Sequence, residues 1–224
     1  MHFLILGGSG RTGKLILDEA LSRGHQVTAL VRSRSSLQPT DNLTIVEGSP
    51  LKVSDIESAF RAVPSSTPSA VVVALNARRA TESPFSPPAA DTPVRMMADS
   101  VGNAIKVMKQ HGVRKIVIMS AFGTGNSFDS MNLAFRFIFR HTNMKYQQID
   151  HEAVDAETRV ADVDFVLARP AMLAEGEAGE AKVLPDDGKG AGFMPKVNRA
   201  SVARFMVKAL ETNEYDRRSP VLMN

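Results

Sequence analysis

The chain's 224 residues are enough to bury a substantial core in one α/β domain, and 43% hydrophobic with 23% charged residues is ordinary for a soluble globule. Its formal charge of +3 and pI near 9.3 come from Lys and Arg spread along the chain, without the basic block that nucleic-acid binding uses, so a local anion site is the simpler role for the arginines. With no cysteine, disulfides, thiolate catalysis and Cys-ligated metals are excluded.

Phe3 to Leu6 are an apolar run that leads straight into Gly7, Gly8, Gly10 and Gly13, followed by a helix-like stretch to Gly24. Strand, glycine turn and helix form the opening βα unit of a dinucleotide-binding fold. Gly7 lets the chain turn tightly off the strand. Gly10 lets backbone approach a pyrophosphate, and Gly13 lets the helix pack on the sheet. The positive helix end and its free N–H groups then face the phosphates, and Arg11 and Thr12 lie inside the same turn. Only about five apolar residues precede the glycines, so no signal peptide is read, and no run approaches the roughly 20 apolar residues of a membrane span. A cytoplasmic protein is expected.

Residues 27–31 and 43–48 read as the second and third strands, and 53–63 as a short helix with Ser54 near its N-cap. Residues 70–75 are a near-continuous β-branched run, as expected of a strand buried on both faces. A Pro/Ser-rich loop (76–91, with Pro84, Pro87 and Pro88) follows. Thr92 and Pro93 read as N-cap and first residue of a long helix to about His111, with Val94, Met97, Val101, Ala104, Ile105 and Met108 on its apolar face. A fifth strand spans 115–120. Then come a glycine turn (123–127), a Phe-rich helix (about 129–141), another helix (about 146–160) and a strand (164–169). Residues 174–192 are loop-like with a possible short strand at 181–184. A helix at about 199–212 and a terminal strand close the chain.

This alternation implies an α/β, Rossmann-like, doubly wound and mainly parallel sheet with helices on both faces. Residues 1–224 read as one NAD(P)-binding domain, in which about 170–200 form a small C-terminal region lining the substrate crevice. The loops after strand ends, 76–91 and 174–195, lie where such folds place that crevice.

The segments GGSGRTG, ALVRSRSSL, HGVRKIVIMSAF, DFVLARPAML and NEYDRRSPV resemble the NmrA-like branch of the atypical short-chain dehydrogenase/reductases. Gly7-x-x-Gly10-x-x-Gly13 is the glycine spacing of the extended and atypical members. Within the branch the chain looks most similar to the biliverdin-IX-beta reductase (flavin reductase) type and its fungal relatives, from His2 to Val221.

Just past the second strand, where NAD-selective sites place a carboxylate, stand Arg32 and Arg34 with several hydroxyls and no acid. A guanidinium pairs with a 2′-phosphate, so NADP(H) is read in preference to NAD(H), against the alternative of a solvated loop face. Where relatives have Gly-Asp beside the adenine, this chain has Gly48-Ser49; serine can bond an amino group but carries no charge. Ala74, Leu75 and Asn76 are expected beside the nicotinamide half of the cofactor. Arg78 matches an arginine of the flavin reductase type, as a phosphate or carboxylate ligand or as a surface loop charge.

Ordinary short-chain dehydrogenases use Tyr-x-x-x-Lys with a nearby serine. Ser120, followed by Ala121, fills the serine position, but the pair is missing: four residues after Tyr146 stands Asp150, whose charge disfavours a phenolate. The resemblance puts His151 at the lysine position, to orient the nicotinamide ribose or, at an ordinary pKa, to donate a proton, with the positional role preferred. The segment holding Pro170, Ala171 and Met172 resembles the loop that meets the carboxamide. Relatives of the flavin reductase type carry histidine near 171. The Phe-rich helix reads as partial cover of the crevice or a partner surface.

The reading is an NADP(H)-dependent reductase passing hydride to a planar conjugated acceptor: a flavin, a quinone or a secondary-metabolite intermediate. The alternatives are a non-catalytic NADP(H) sensor and an isomerase or cyclase. Expected partners are small molecules, not nucleic acid or membrane, with no metal; the oligomeric state is open.

Overall fold

Four apolar strands make the centre of the sheet: β1 (His2–Leu6), β4 (Ala70–Val73), β5 (Lys115–Met119) and β6 (Asp164–Pro170). Nearly every residue in them is buried, because helices cover both faces. The computed structural model describes every residue except Glu82 and Pro84, so the Pro84 of the expected loop lies outside the described residues. Outward from β1 lie β2 (Gln26–Val31) and β3 (Leu43–Glu47). Beyond β6 lie β10 (Val221–Met223) and β8 (Lys182–Leu184). The order is β3-β2-β1-β4-β5-β6-β10-β8, parallel throughout except for the antiparallel β10–β8 pair. This is the expected doubly wound Rossmann-like architecture. Strand order reverses between β1 and β4, the switch point at which such sheets open a crevice beyond their C-terminal ends.

Helices α1 (Arg11–Ser22) and α6 (Arg199–Glu211) cover one face; α2 (Val53–Phe60), α3 (Met96–Gln110) and α5 (Met144–Val160) cover the other. The short helix α4 (Leu133–His141) buries none of its residues. The strands β7 (Met172–Ala174) and β9 (Lys196–Asn198) pair in a small parallel sheet of their own, which the sequence pattern did not announce. No helix among the described residues is long and apolar enough to cross a membrane.

Several boundaries differ from expectation. α3 starts at Met96, not at Thr92-Pro93, and Val94 is 71% exposed instead of facing the core. The reason is tertiary: the buried Asp150 carboxylate accepts the N–H groups of Met97 and Ala98, at 2.9 Å each, so the cap comes from α5. α2 ends at Phe60 and starts after Lys52, leaving Ser54 inside the helix. β4 ends at Val73, so Ala74 and Leu75 lie past it, though the Ala74 N–H still donates to Leu6 at 2.8 Å. A 3-10 turn (Gly125–Ser130) precedes α4, whose start is set by Asn132 accepting the Phe135 N–H at 3.0 Å.

Candidate functional site

The glycine turn sits between the ends of β1 and β4. Gly7 has φ +92°, and a Cβ there would lie 2.5 Å from the Ala74 carbonyl oxygen. A Cβ on Gly13 would fall 2.0 Å from the Gly7 carbonyl oxygen, so the first turn of α1 rests directly on the loop. Gly10 caps α1 and is exposed, with only the Gly7 oxygen within reach of a Cβ, at 3.3 Å. The arrangement is a bare backbone cradle at a helix N-terminus, the elementary anion-binding geometry. Arg11 is exposed at its rim and Thr12 is buried within it.

Arg32 and Arg34 are exposed beyond β2, on the flank of this cradle. The stretch itself carries no acid, but the fold brings one beside it. Glu47, ending the neighbouring β3, accepts the Arg34 backbone N–H at 3.2 Å. Ser49 is held by Asp55 of α2, which accepts its N–H at 2.9 Å, while the Ser49 hydroxyl oxygen accepts the Leu51 N–H at 3.3 Å. Asp55 thus fixes the backbone of this loop.

On the other side of the cradle, Asn76 accepts a hydrogen bond from Gln147 of α5 at 3.1 Å, and Gln147 also bonds the Ala77 carbonyl. Arg78 is exposed and ion-paired with Asp91 of its own loop. This arm therefore comes close to α5, though Arg78 is engaged within the loop.

Ser120 closes β5, its N–H donating to Ala168 at 2.7 Å, and its hydroxyl is buried without a hydrogen-bond partner. His151 of α5 is likewise buried, with its Nδ1 unpartnered. Burial pushes the imidazole down to about 4. It is neutral at ordinary pH, which removes the option of an imidazolium proton donor that an unshifted pKa would have allowed. Two unpartnered polar atoms are costly unless something completes them.

Beside this end of the sheet lies a cavity of about 210 Å³. Its floor is Ala121, Pro170, Ala171 and Met172; Phe122, Met131, Phe193 and Pro195 form its sides, with Phe135, Phe139 and Met144 above. The one polar lining residue, Asn132, uses its oxygen on the Phe135 N–H and its amide nitrogen on the Phe193 carbonyl. So α4 lines a pocket with Phe135 and Phe139 and turns Phe137 outward at 64% exposure.

The sequence profile of the NAD(P)H-binding family matches residues 7–213. The chain belongs to that family. It is also similar to the uncharacterised protein YwnB of Bacillus subtilis strain 168, 54% identical over 41 residues, 18% of this chain and only 19% of YwnB's own length. Among solved structures, ChuY, an anaerobillin reductase from Escherichia coli O157:H7, is 15% identical with a TM-score of 0.75, covering 100% of this chain and 97% of that one. A short-chain dehydrogenase/reductase from Veillonella parvula DSM 2008, in complex with NADP, is 16% identical with a TM-score of 0.75, covering 100% and 94%. At such identities these two likenesses concern the fold.

The residues of this NAD(P)H-binding chain fit the cofactor on structural grounds: Gly10 leaves backbone bare at the N-terminus of α1, and Ser120 and His151 each carry a buried polar atom without a partner. Sequence reasoning missed Arg199, at the start of α6. It donates to Thr12 of the glycine turn at 3.3 Å and pairs with Glu175 at 2.8 Å, placing a largely buried cation behind the cradle. It also missed Arg169, fully buried in β6, which donates to Asp155 at 2.7 Å, Asn126 at 2.6 Å and the Asp186 carbonyl at 2.8 Å. Burial alone would push Asp155 up, but the hydrogen bond from Arg159 and the charge of Arg169 hold it below the usual carboxylate range. This network ties the loops around 126 and 186 to the central sheet. An arginine in an apolar strand was the available signal for it. Among the described residues, no group of three or more His, Cys, Asp or Glu is placed to hold a metal.

Proposed function

We infer that the chain is an NADPH-dependent reductase that passes hydride to a planar, conjugated small molecule. In this reading it is an atypical short-chain dehydrogenase/reductase of the NmrA-like kind, nearest the flavin reductase type. The observation that carries the proposal is one adjacency. Ala121, Pro170 and Ala171, read as the nicotinamide end of the cofactor site, also floor an apolar cavity, and Ala121 directly follows the buried Ser120.

The glycine turn with Arg11, Thr12 and Gly13 would take the pyrophosphate, and Arg32 and Arg34 the 2′-phosphate. Glu47 stands near enough that this preference is the part most worth testing. Ser49 would flank the adenine, and Ala74, Leu75 and Asn76 the nicotinamide half. Ser120 and neutral His151 would hydrogen-bond the nicotinamide ribose, and Met172 would stand at the carboxamide. When bound, NADPH supplies a hydride. The chain's contribution is to hold two flat rings against each other and exclude water from between them. With no Tyr-x-x-x-Lys pair and an uncharged His151, no strong acid faces the acceptor. That favours substrates whose reduced form is a delocalised anion able to take its proton from water. A cytoplasmic setting belongs to the same proposal.

The test follows near-ultraviolet NADPH absorbance with flavins and simple quinones as acceptors and NADH in parallel. Protein-dependent oxidation that prefers NADPH is expected. Tight NADPH binding with no acceptor reduced would refute the reductase and favour a sensor, and a rearranged product without cofactor oxidation would favour an isomerase.

A further inference from the structure

The cavity beside Ser120 has a volume, a polarity and an orientation, and together they narrow the acceptor. A space of about 210 Å³ holds about a dozen non-hydrogen atoms at interior packing density, the size of two fused rings. The cavity is open on one side, so a three-ring flavin bearing a ribityl phosphate, or an open tetrapyrrole, would lie partly outside it.

No cationic side chain lines the cavity among the described residues. The nearby arginines of α4 are engaged outside it. Arg140 lies over the Phe128 ring at 4.9 Å, and Arg136 lies over the same ring at 5.7 Å while donating to the Met131 carbonyl at 3.1 Å. Both polar ends of Asn132 are bonded to backbone. An anionic substituent would therefore lose its water without gaining a partner, which is prohibitive for a carboxylate or phosphate. The aromatic rings of Phe122, Phe135 and Phe139, by contrast, suit a flat apolar ligand. At the floor Ala121 follows Ser120, whose unpartnered hydroxyl is buried and does not itself line the cavity.

We propose that the acceptor is an uncharged two-ring aromatic carbonyl compound of the naphthoquinone class. Its hydrocarbon ring lies under α4 and its carbonyl points toward Ser120. This deepens the reductase reading and rests on it. In the reaction the quinone gains one hydride from bound NADPH and one proton from water. It becomes the hydroquinone while the cofactor becomes NADP⁺.

The experiment measures binding by calorimetry on protein saturated with NADP⁺, so that no turnover occurs. The probes are 2-methyl-1,4-naphthoquinone, its 3-sulfonate and FMN. The neutral quinone is expected to bind about tenfold or more tighter than either anion. Ala171→Phe, which fills the floor, should weaken the neutral probe at least tenfold. Met172→Lys sits at a 41% exposed position that tolerates charge, and should narrow the gap between the quinone and its sulfonate several-fold. NADP⁺ affinity is measured first for each protein. NADP⁺ binding with FMN or the sulfonate preferred over the neutral quinone would overturn the substrate class and leave the reductase reading standing. Absence of NADP⁺ binding would overturn both. Quinone binding unaffected by both substitutions would place it elsewhere and overturn the proposal.

Discussion

His151 provides a proton-linked test of how deeply this end of the sheet is buried. Its imidazole titrates near 6.5 when the chain is unfolded and is pushed down to about 4 by desolvation in the fold. The unfolded chain therefore takes up the proton more readily. The stability due to neutral His151 is complete above the unfolded value and is lost as pH falls through 6.5 toward 4. The loss at pH 5 relative to pH 7.5 comes to about 2 kcal/mol, saturating near 3 kcal/mol below pH 4. Urea unfolding of the cofactor-free protein at the two pH values, followed by circular dichroism, measures it. His151→Asn removes the titration while keeping a polar side chain of similar reach. His2, which burial also pushes down, contributes in the same direction, but equally in both proteins. The variant should therefore lose about 2 kcal/mol less than the parent between the two conditions. Equal losses in parent and variant would show that His151 is hydrated, and the argument for a neutral, positioning imidazole would fall with it.

Four further substitutions have defined outcomes. Gly13→Ala drives a Cβ to within 2.0 Å of a backbone oxygen, and should cost more than about 2 kcal/mol and abolish NADPH binding. Gly102→Ala, on an exposed position of α3 with nothing within 4 Å, should raise the melting temperature; parallel behaviour of the two variants would contradict the cradle geometry. Asp150→Ala strands two N–H groups of α3 and should cost about 2 kcal/mol in urea unfolding, with a cost below about 0.5 kcal/mol showing that α3 caps itself locally. Arg32→Ala should weaken NADPH at least about tenfold more than NADH in parallel titrations, and equal losses would assign 2′-phosphate recognition elsewhere.

The central strands were legible because burial on both faces writes an uninterrupted apolar run, and Gly7 and Gly13 because each occupies a place where no Cβ fits. What escaped reading depends on contacts between distant segments. The start of α3 is set by Asp150, more than fifty residues away, so the local Thr-Pro signal misled. Glu47 enters the Arg34 loop through the pairing of β2 with β3, and Arg199 reaches Thr12 through the packing of α6 on α1. β7 and β9 are three residues each, too short to show a period. Arg169 stands in an apolar strand, and nothing local shows that Asp155, Asn126 and Asp186 will neutralise and solvate it.

The cavity's floor and roof are held by different means, and that difference has kinetic consequences. The floor is fixed by the register of β5 on β6 and its continuation, in which Ser120 donates to Ala168 at 2.7 Å and Phe122 to Pro170 at 3.0 Å. The roof, α4, buries no residue of its own, and is joined to the segment opposite through the Asn132 amide on the Phe193 carbonyl. A roof substitution can therefore relax without moving the floor. Phe139→Leu should raise KM for the acceptor several-fold while leaving kcat within about twofold, because it removes contact shared by ground and transition states. Ala121→Val, which crowds the floor between Ser120 and Phe122, should lower kcat, since in the proposed reductase the two reacting rings would meet there. Steady-state kinetics with a quinone that the parent reduces gives both numbers. A Phe139→Leu enzyme with depressed kcat and unchanged KM would mean that α4 takes part in aligning the reacting rings, and the separation of roof from floor would have to be abandoned.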